Sequence, residues 1–118
     1  MKLQIRGGTI KVTKVLRAYV DRRLHLVLGR FGDQIGRVTA DLSAADDDGG
    51  GKRCHIDVYL RRAADVQAED IDVDMVAAID RAVGRAGRSL ALALERERAW
   101  GDGPSRAPAA LRPRSGGR

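Results

Sequence analysis

Residues 53–61, RCHIDVYLR, decide the fold. Cys54, Ile56, Val58 and Leu60 alternate with His55, Asp57, Tyr59 and Arg61, which is the two-residue period of a strand with one apolar face and one wet face. Residues 35–43, IGRVTADLS, alternate in the same way at Val38, Ala40 and Leu42. The polar stretch between them, ADDDGGGK, reads as a hairpin loop. A weaker strand surrounds Val66 and Ala68, and KLQIR at 2–6 supplies another around Leu3 and Ile5 before Gly7-Gly8 breaks it.

The remaining segments carry a helical period. From Thr13 to Phe31, Leu16, Tyr19, Val20, Leu24, Val27, Leu28 and Phe31 fall on one face. Thr13 is placed to cap this helix, and Gly29 and Gly32 sit where it should fail. Residues 74–98 repeat the pattern at Ile79, Val83, Ala86, Leu90 and Ala93 or Leu94, with Asp74 as the cap. Gly84 and Gly87 each cost this helix about 1 kcal/mol relative to Ala. The order β-α-β-β-β-α, with two amphipathic helices and a sheet apolar on one face, predicts an α+β two-layer sandwich: a four-stranded sheet with both helices packed on one face.

The chain has 118 residues, the size of one small domain. All three prolines fall in 101–118, GDGPSRAPAALRPRSGGR, so a folded domain over 1–100 and a disordered Gly/Pro/Arg-rich tail over 101–118 are expected. The lone Cys54 has no intrachain partner, which excludes a disulfide scaffold. No apolar run reaches the roughly 20 residues of a membrane span, and MKLQIRGGTI lacks a signal-peptide core. The expected compartment is the cytoplasm. The aromatics are Tyr19, Phe31, Tyr59 and Trp100 alone, which argues against a broad base-stacking surface.

The net charge of +6 conceals a segregation: +7 in residues 1–40, −7 in 41–80 and +6 in 81–118. On the first helix Lys14, Arg17, Arg22, Arg23 and Arg30 lie mostly off the core face. On the second, Arg81, Arg85, Arg88 and Arg96 recur at steps of four, three and eight. Side by side on one sheet, the two helices would present these nine cations as one surface suited to a phosphate backbone. The bland alternative is a solvated helix face in which Arg17 and Asp21 form an i, i+4 pair. The acidic strands should face away from such a nucleic acid or meet a basic protein partner. No nucleophile, metal-ligand or phosphate-loop motif is visible, so no enzyme, no cofactor and no metal are expected. Asp46, Asp47 and Asp48 lack the spacing of a cation loop. His25 and His55 belong to no local motif, and Cys54 reads as a buried structural thiol.

The opening IRGGTIKVTKVLRAYVDRRL resembles the ribosome hibernation-promoting factors, also called ribosome-associated inhibitors or sigma-54 modulation proteins, at Ile5, Gly7, Val12, Thr13, Leu16, Arg17 and Val20. Asp74 to Asp80, DMVAAID, is similar to the D-M-Y-A-A-I-D that opens the family's last helix. The resemblance spans about residues 3–98. It implies the same β-α-β-β-β-α fold and a stress or stasis factor that binds small-subunit ribosomal RNA in the channel shared by messenger and transfer RNA. No chemical step, no membrane and no DNA are implied, and the chain would be a short form, monomeric off the ribosome. Arg23, Arg85 and Arg88 match basic sites of the family. Val76 stands where the family has Tyr, Ser89 where it has Gln, and Leu26, Leu92 and Leu94 where it tends to have lysines. Those three leucines, if grouped and exposed, would favour a divergent protein-interaction or regulatory module of the same fold.

Overall fold

The computed structural model describes residues 1–45 and 50–102, with side chains described as far as Ala99. The elements are β1 (Lys2–Gly7), α1 (Lys14–Leu28), a 3₁₀ segment (Gly29–Gln34), β2 (Ile35–Ala44), β3 (Lys52–Leu60), β4 (Val66–Asp72) and α2 (Met75–Asp102). The strands form one sheet in sequence order, with β1 parallel to β2 and the other neighbours antiparallel. The parallel pair requires a crossover, and α1 is that crossover. α2 lies over β3 and β4. The two-layer α+β sandwich is therefore as the periodicities predict.

The register carries the alternation across the sheet. Ala40 pairs with Ile56 and Val38 with Val58, and Ile56 continues to Ala68. Val38, Ala40, Leu42, Cys54, Ile56 and Val58 are all fully buried against Val20, Leu24 and Leu28 of α1 and Ile79, Val83, Ala86 and Leu90 of α2. His55, Asp57 and Tyr59 project from the opposite face with partial exposure. Cys54 lies in the core, where burial pushes its thiol pKa up to about 12. It is an inert apolar filler.

Both predicted caps form. Thr13 is extended, and its hydroxyl accepts from Leu16 N–H at 3.1 Å. Asp74 accepts from Val76 N–H at 3.1 Å. The helix ends differ from the periodic reading. α1 stops at Leu28, and Phe31 belongs to the 3₁₀ segment that follows, because Gly29 and Gly32 fail to sustain the α-helix. α2 continues to Asp102, two residues past the expected domain edge. The expected tail from 103 onward, and Asp46, Asp47 and Asp48 in the hairpin loop, lie outside the described residues.

The two glycines of α2 serve different ends. At Gly87 a Cβ would fall 2.6 Å from Val27 Cγ1 of α1, so the helices touch there because no side chain intervenes. At Gly84 the nearest atom to such a Cβ is the end of the Arg88 side chain at 3.6 Å. Gly84→Ala should raise stability by about 0.5–1 kcal/mol through helix propensity. Gly87→Ala should lower it by about 1–3 kcal/mol, because Val27 is β-branched and stiff. Opposite shifts of the urea midpoint check both statements, and a stabilising Gly87→Ala would refute the close contact.

Candidate nucleic-acid interface

The structure brings all nine predicted cations to the helix layer but does not leave all nine free. Lys14, Arg22, Arg30, Arg88 and Arg96 are exposed and have no carboxylate partner among the described residues. Arg30 Cζ lies 4.6 Å over the centroid of the Phe31 ring. Arg17 leans over the sheet edge and donates to the Ile5 carbonyl at 3.2 Å. It does not pair with Asp21. Asp21 instead takes His25, whose Nδ1 is 3.1 Å from Asp21 Oδ1, so the i, i+4 pair on this helix is a different one.

The remaining three are held by acids. Arg23 Nε stands 3.2 Å from Asp80 Oδ1 on α2, as an ion pair without a hydrogen bond. The same oxygen accepts the Tyr19 hydroxyl at 2.5 Å, and that bond raises the phenol pKa. Arg81 bonds Asp72 and lies 3.4 Å from Asp70, and Arg85 lies 3.3 Å from the same Asp70 Oδ2. The acidic side chains of β4 thus do not all lie on the face away from the helices. Asp70 and Asp72 turn toward α2, because the alternation of β4 sends those two positions to the helix side while Gln67, Glu69 and Ile71 stay outside.

Three further cations join the free set, and charge counting by segment passes over them. Arg98 lines a groove of about 470 Å³ with Arg30, Phe31, Arg88 and Leu92, where the 3₁₀ segment after α1 meets α2, so Arg30 lies just beyond the helix predicted to carry it. Arg61 and Arg62 line an adjoining groove of about 410 Å³ with Gln34 and Leu94, which border both. In sequence this pair sits inside the acidic middle. Its position right after β3, at the same end of the sheet as the start of β2, was the available signal.

The open sheet face has the opposite character. Arg6 holds Asp41 with two bonds of 2.8 and 2.9 Å, which raises the Arg6 pKa. His55 places its ring nitrogens 3.0 Å from Glu69 and 3.3 Å from Asp57, a histidine–carboxylate cluster that only the strand register assembles. Arg53 reaches Glu69 at 3.4 Å, and Arg37 stacks over Tyr59 at 4.6 Å. Such exposed pairs add little stability, but a paired cation has less to offer a phosphate. No group of three or more His, Cys, Asp or Glu side chains among the described residues is placed to hold a metal ion. No described helix is long and apolar enough to cross a membrane.

The family model for "Sigma 54 modulation protein / S30EA ribosomal protein" matches residues 3–98. The chain belongs to this family. The crystal structure of the Protein Y N-terminal domain from Thermus thermophilus is 32% identical, with a TM-score of 0.65 over 76% of this chain and 96% of that one. A ribosomal subunit interface protein from Coxiella burnetii matches with a TM-score of 0.65 over 84% of this chain and 99% of its own, at 19% identity, which bears on the fold alone. Comparison with curated proteins returned no match.

Within this sigma-54 modulation fold, Leu26, Leu92 and Leu94 separate. Leu26 is 72% exposed and Leu92 49%, whereas Leu94 is 9% exposed and packs into the core. Leu26 and Leu92 lie on different helices, and only Leu92 borders the groove. Each exposed leucine is flanked four residues away on both sides by arginine: Arg22 and Arg30, Arg88 and Arg96. Apolar and cationic groups therefore share one surface.

Asp72 supplies a pH-dependent test of the β4–α2 tie. Its carboxyl is held below its ordinary range, first by the Asp74 N–H and then by Arg81. A depressed carboxylate contributes stability that is present above the unfolded value, about pH 4, and is lost as pH falls through the lower folded value. Asp72→Asn should therefore lower the urea midpoint at pH 7, and its curve should converge with that of the parent as pH drops below about 4. A constant gap from pH 7 to pH 2 would contradict the assignment.

Proposed function

We propose that this chain is a ribosome-associated hibernation factor. It docks its helix face on small-subunit ribosomal RNA, in the channel used by messenger and transfer RNA, and blocks translation by occupancy during stress or stasis. The observation that carries this reading is the cluster of five exposed cations in the helix layer, Lys14, Arg22, Arg30, Arg88 and Arg96, without a carboxylate partner among the described residues, whereas Arg6, Arg53 and His55 on the sheet face are held by carboxylates. The family supports it, as do the neighbours named Protein Y and ribosomal subunit interface protein. Recognition would rest on phosphate position and RNA shape, with little base readout. The action needs no chemical step, cofactor or DNA, and takes place where ribosomes are, in the cytoplasm. The protein would act as a monomer off the ribosome.

The structure reorders the candidate residues. On this reading Lys14, Arg22, Arg30, Arg88 and Arg96 would be the primary contacts, because Arg81 and Arg85 are engaged by β4 and Arg23 by Asp80. With five phosphate contacts, the slope of log affinity against log salt should be about −4. Co-sedimentation with purified small subunits at two salt concentrations measures it. Arg22→Glu with Arg88→Glu should weaken binding at least about tenfold and flatten the slope by about two. Arg81→Gln should change it by less than about twofold. Absence of binding at low salt would sink the reading. Binding that persists through the double reversal but is lost on Leu26→Asp would assign the face to a protein partner instead.

A further inference from the structure

Phosphate contact does not account for the groove at the joint end of the helices. A duplex backbone needs only exposed cations, yet this groove has an apolar floor. Phe31 is half-buried there, and Leu92 is half-exposed. The Arg30 guanidinium lies on the Phe31 ring and is thereby backed as a flat plate. Arg88 and Arg98 stand at the margins with the Gln34 amide, and Glu95 is the one carboxylate against three arginines, so the groove is net cationic. Its volume of about 470 Å³ is in the range of sites that take a small molecule or a single extruded residue.

We infer that this groove receives one unpaired nucleotide of a single-stranded RNA segment. Its base stacks on the Arg30 plate and against Leu92, and the phosphates on either side meet Arg88 and Arg98. RNA is read mainly where bases can be splayed out and stacked on aromatic rings or arginine planes, and here one such plate is continuous with the cationic helix face. The scarcity of aromatics in the chain rules out a broad stacking surface, not a single seat. Leu92 then has a use at a position where the family tends to carry a lysine: it forfeits a phosphate contact and gains a base contact. The inference rests on the RNA-binding reading above and gives that reading a second mode, dependent on bases as well as on charge.

The test measures the full chain by fluorescence anisotropy against two labelled probes, a ten-nucleotide oligoadenylate and an abasic ribose-phosphate oligomer of the same length. The parent should bind the intact oligomer about tenfold more tightly than the abasic one, as expected for one stacked base. Arg30→Lys keeps the charge but removes the plane, so it should lower that ratio to within about twofold of unity by weakening the intact oligomer far more than the abasic one. Leu92→Ser, at an exposed position, should lower the ratio without altering the salt slope. A parent ratio near one, or a ratio unmoved by Arg30→Lys, would overturn the nucleotide seat. Preferential displacement of the oligomer by a leucine-containing acidic peptide would also overturn it. Small-subunit co-sedimentation, run alongside, separates the two ideas. If the parent sediments normally while the ratio is one, only the seat fails; if it neither sediments nor binds either oligomer, the RNA reading falls with it.

Discussion

The spacing between α1 and α2 is set where Gly87 meets Val27, and the functional surface inherits that spacing. A methyl group at position 87 would lie 2.6 Å from Val27 Cγ1. Only a residue without a side chain lets the two helices approach this closely over one sheet. Two turns earlier, Asp80 ties the same helices through Tyr19 and Arg23. Beyond it, α2 and the 3₁₀ segment that follows α1 frame the groove between Arg30 and Leu92. The contact is thus apolar and steric in the middle, polar at one end and open at the other. Widening it would loosen the core side chains Leu24 and Leu28, and would also separate the two rows of cations on the helix face.

The Asp80 tie consumes a residue that the family resemblance assigns to RNA. Arg23 cannot stay beside Asp80 and also give its full charge to a phosphate. A hydrogen bond to an ionised group is worth about 1.5–3 kcal/mol when buried, and Asp80 is partly exposed, so the Tyr19 bond belongs at or below the low end of that range. That is still enough to fix a helix pair whose mutual contact is small. The sequence motif that ends in Asp80 therefore has a structural meaning: it begins α2 with a cap at Asp74 and ends with a carboxylate aimed at α1.

Most of the fold was legible because its periodicities are local. Alternation at 54–60 and the three- and four-residue steps at 16–31 and 79–94 each need only a short window, and the structure buries or half-buries those residues. The helix ends were less legible. Phe31 keeps the apolar period while its backbone has already left the α-helix. The site was half legible. A stripe of cations can be read from helical spacing, but which of them is free depends on carboxylates far away in sequence. Arg81 and Arg85 look equivalent to Arg88 until the β4 register turns Asp70 and Asp72 toward them. Arg61 and Arg62 look like part of an acidic segment until the sheet brings them beside Gln34.

This pairing also gives the acidic middle of the chain a role that needs no partner. β4 is an edge strand, and edge strands invite pairing with other chains. One oxygen of Asp70 accepts the Ile71 N–H at 2.8 Å, occupying a backbone donor of that strand. The other sits buried between Arg81 and Arg85 with no hydrogen bond of its own. Withdrawing both arginines toward RNA would strand that carboxylate in a poorly solvated position, which costs more than an exposed ion pair returns. The two arginines are therefore bound to the edge of the sheet, and the unpaired cations of the helix face are those whose positions place them beyond reach of β4. The charge segregation along the chain thus resolves in three dimensions into two devices: a guarded strand edge and an unguarded helix face.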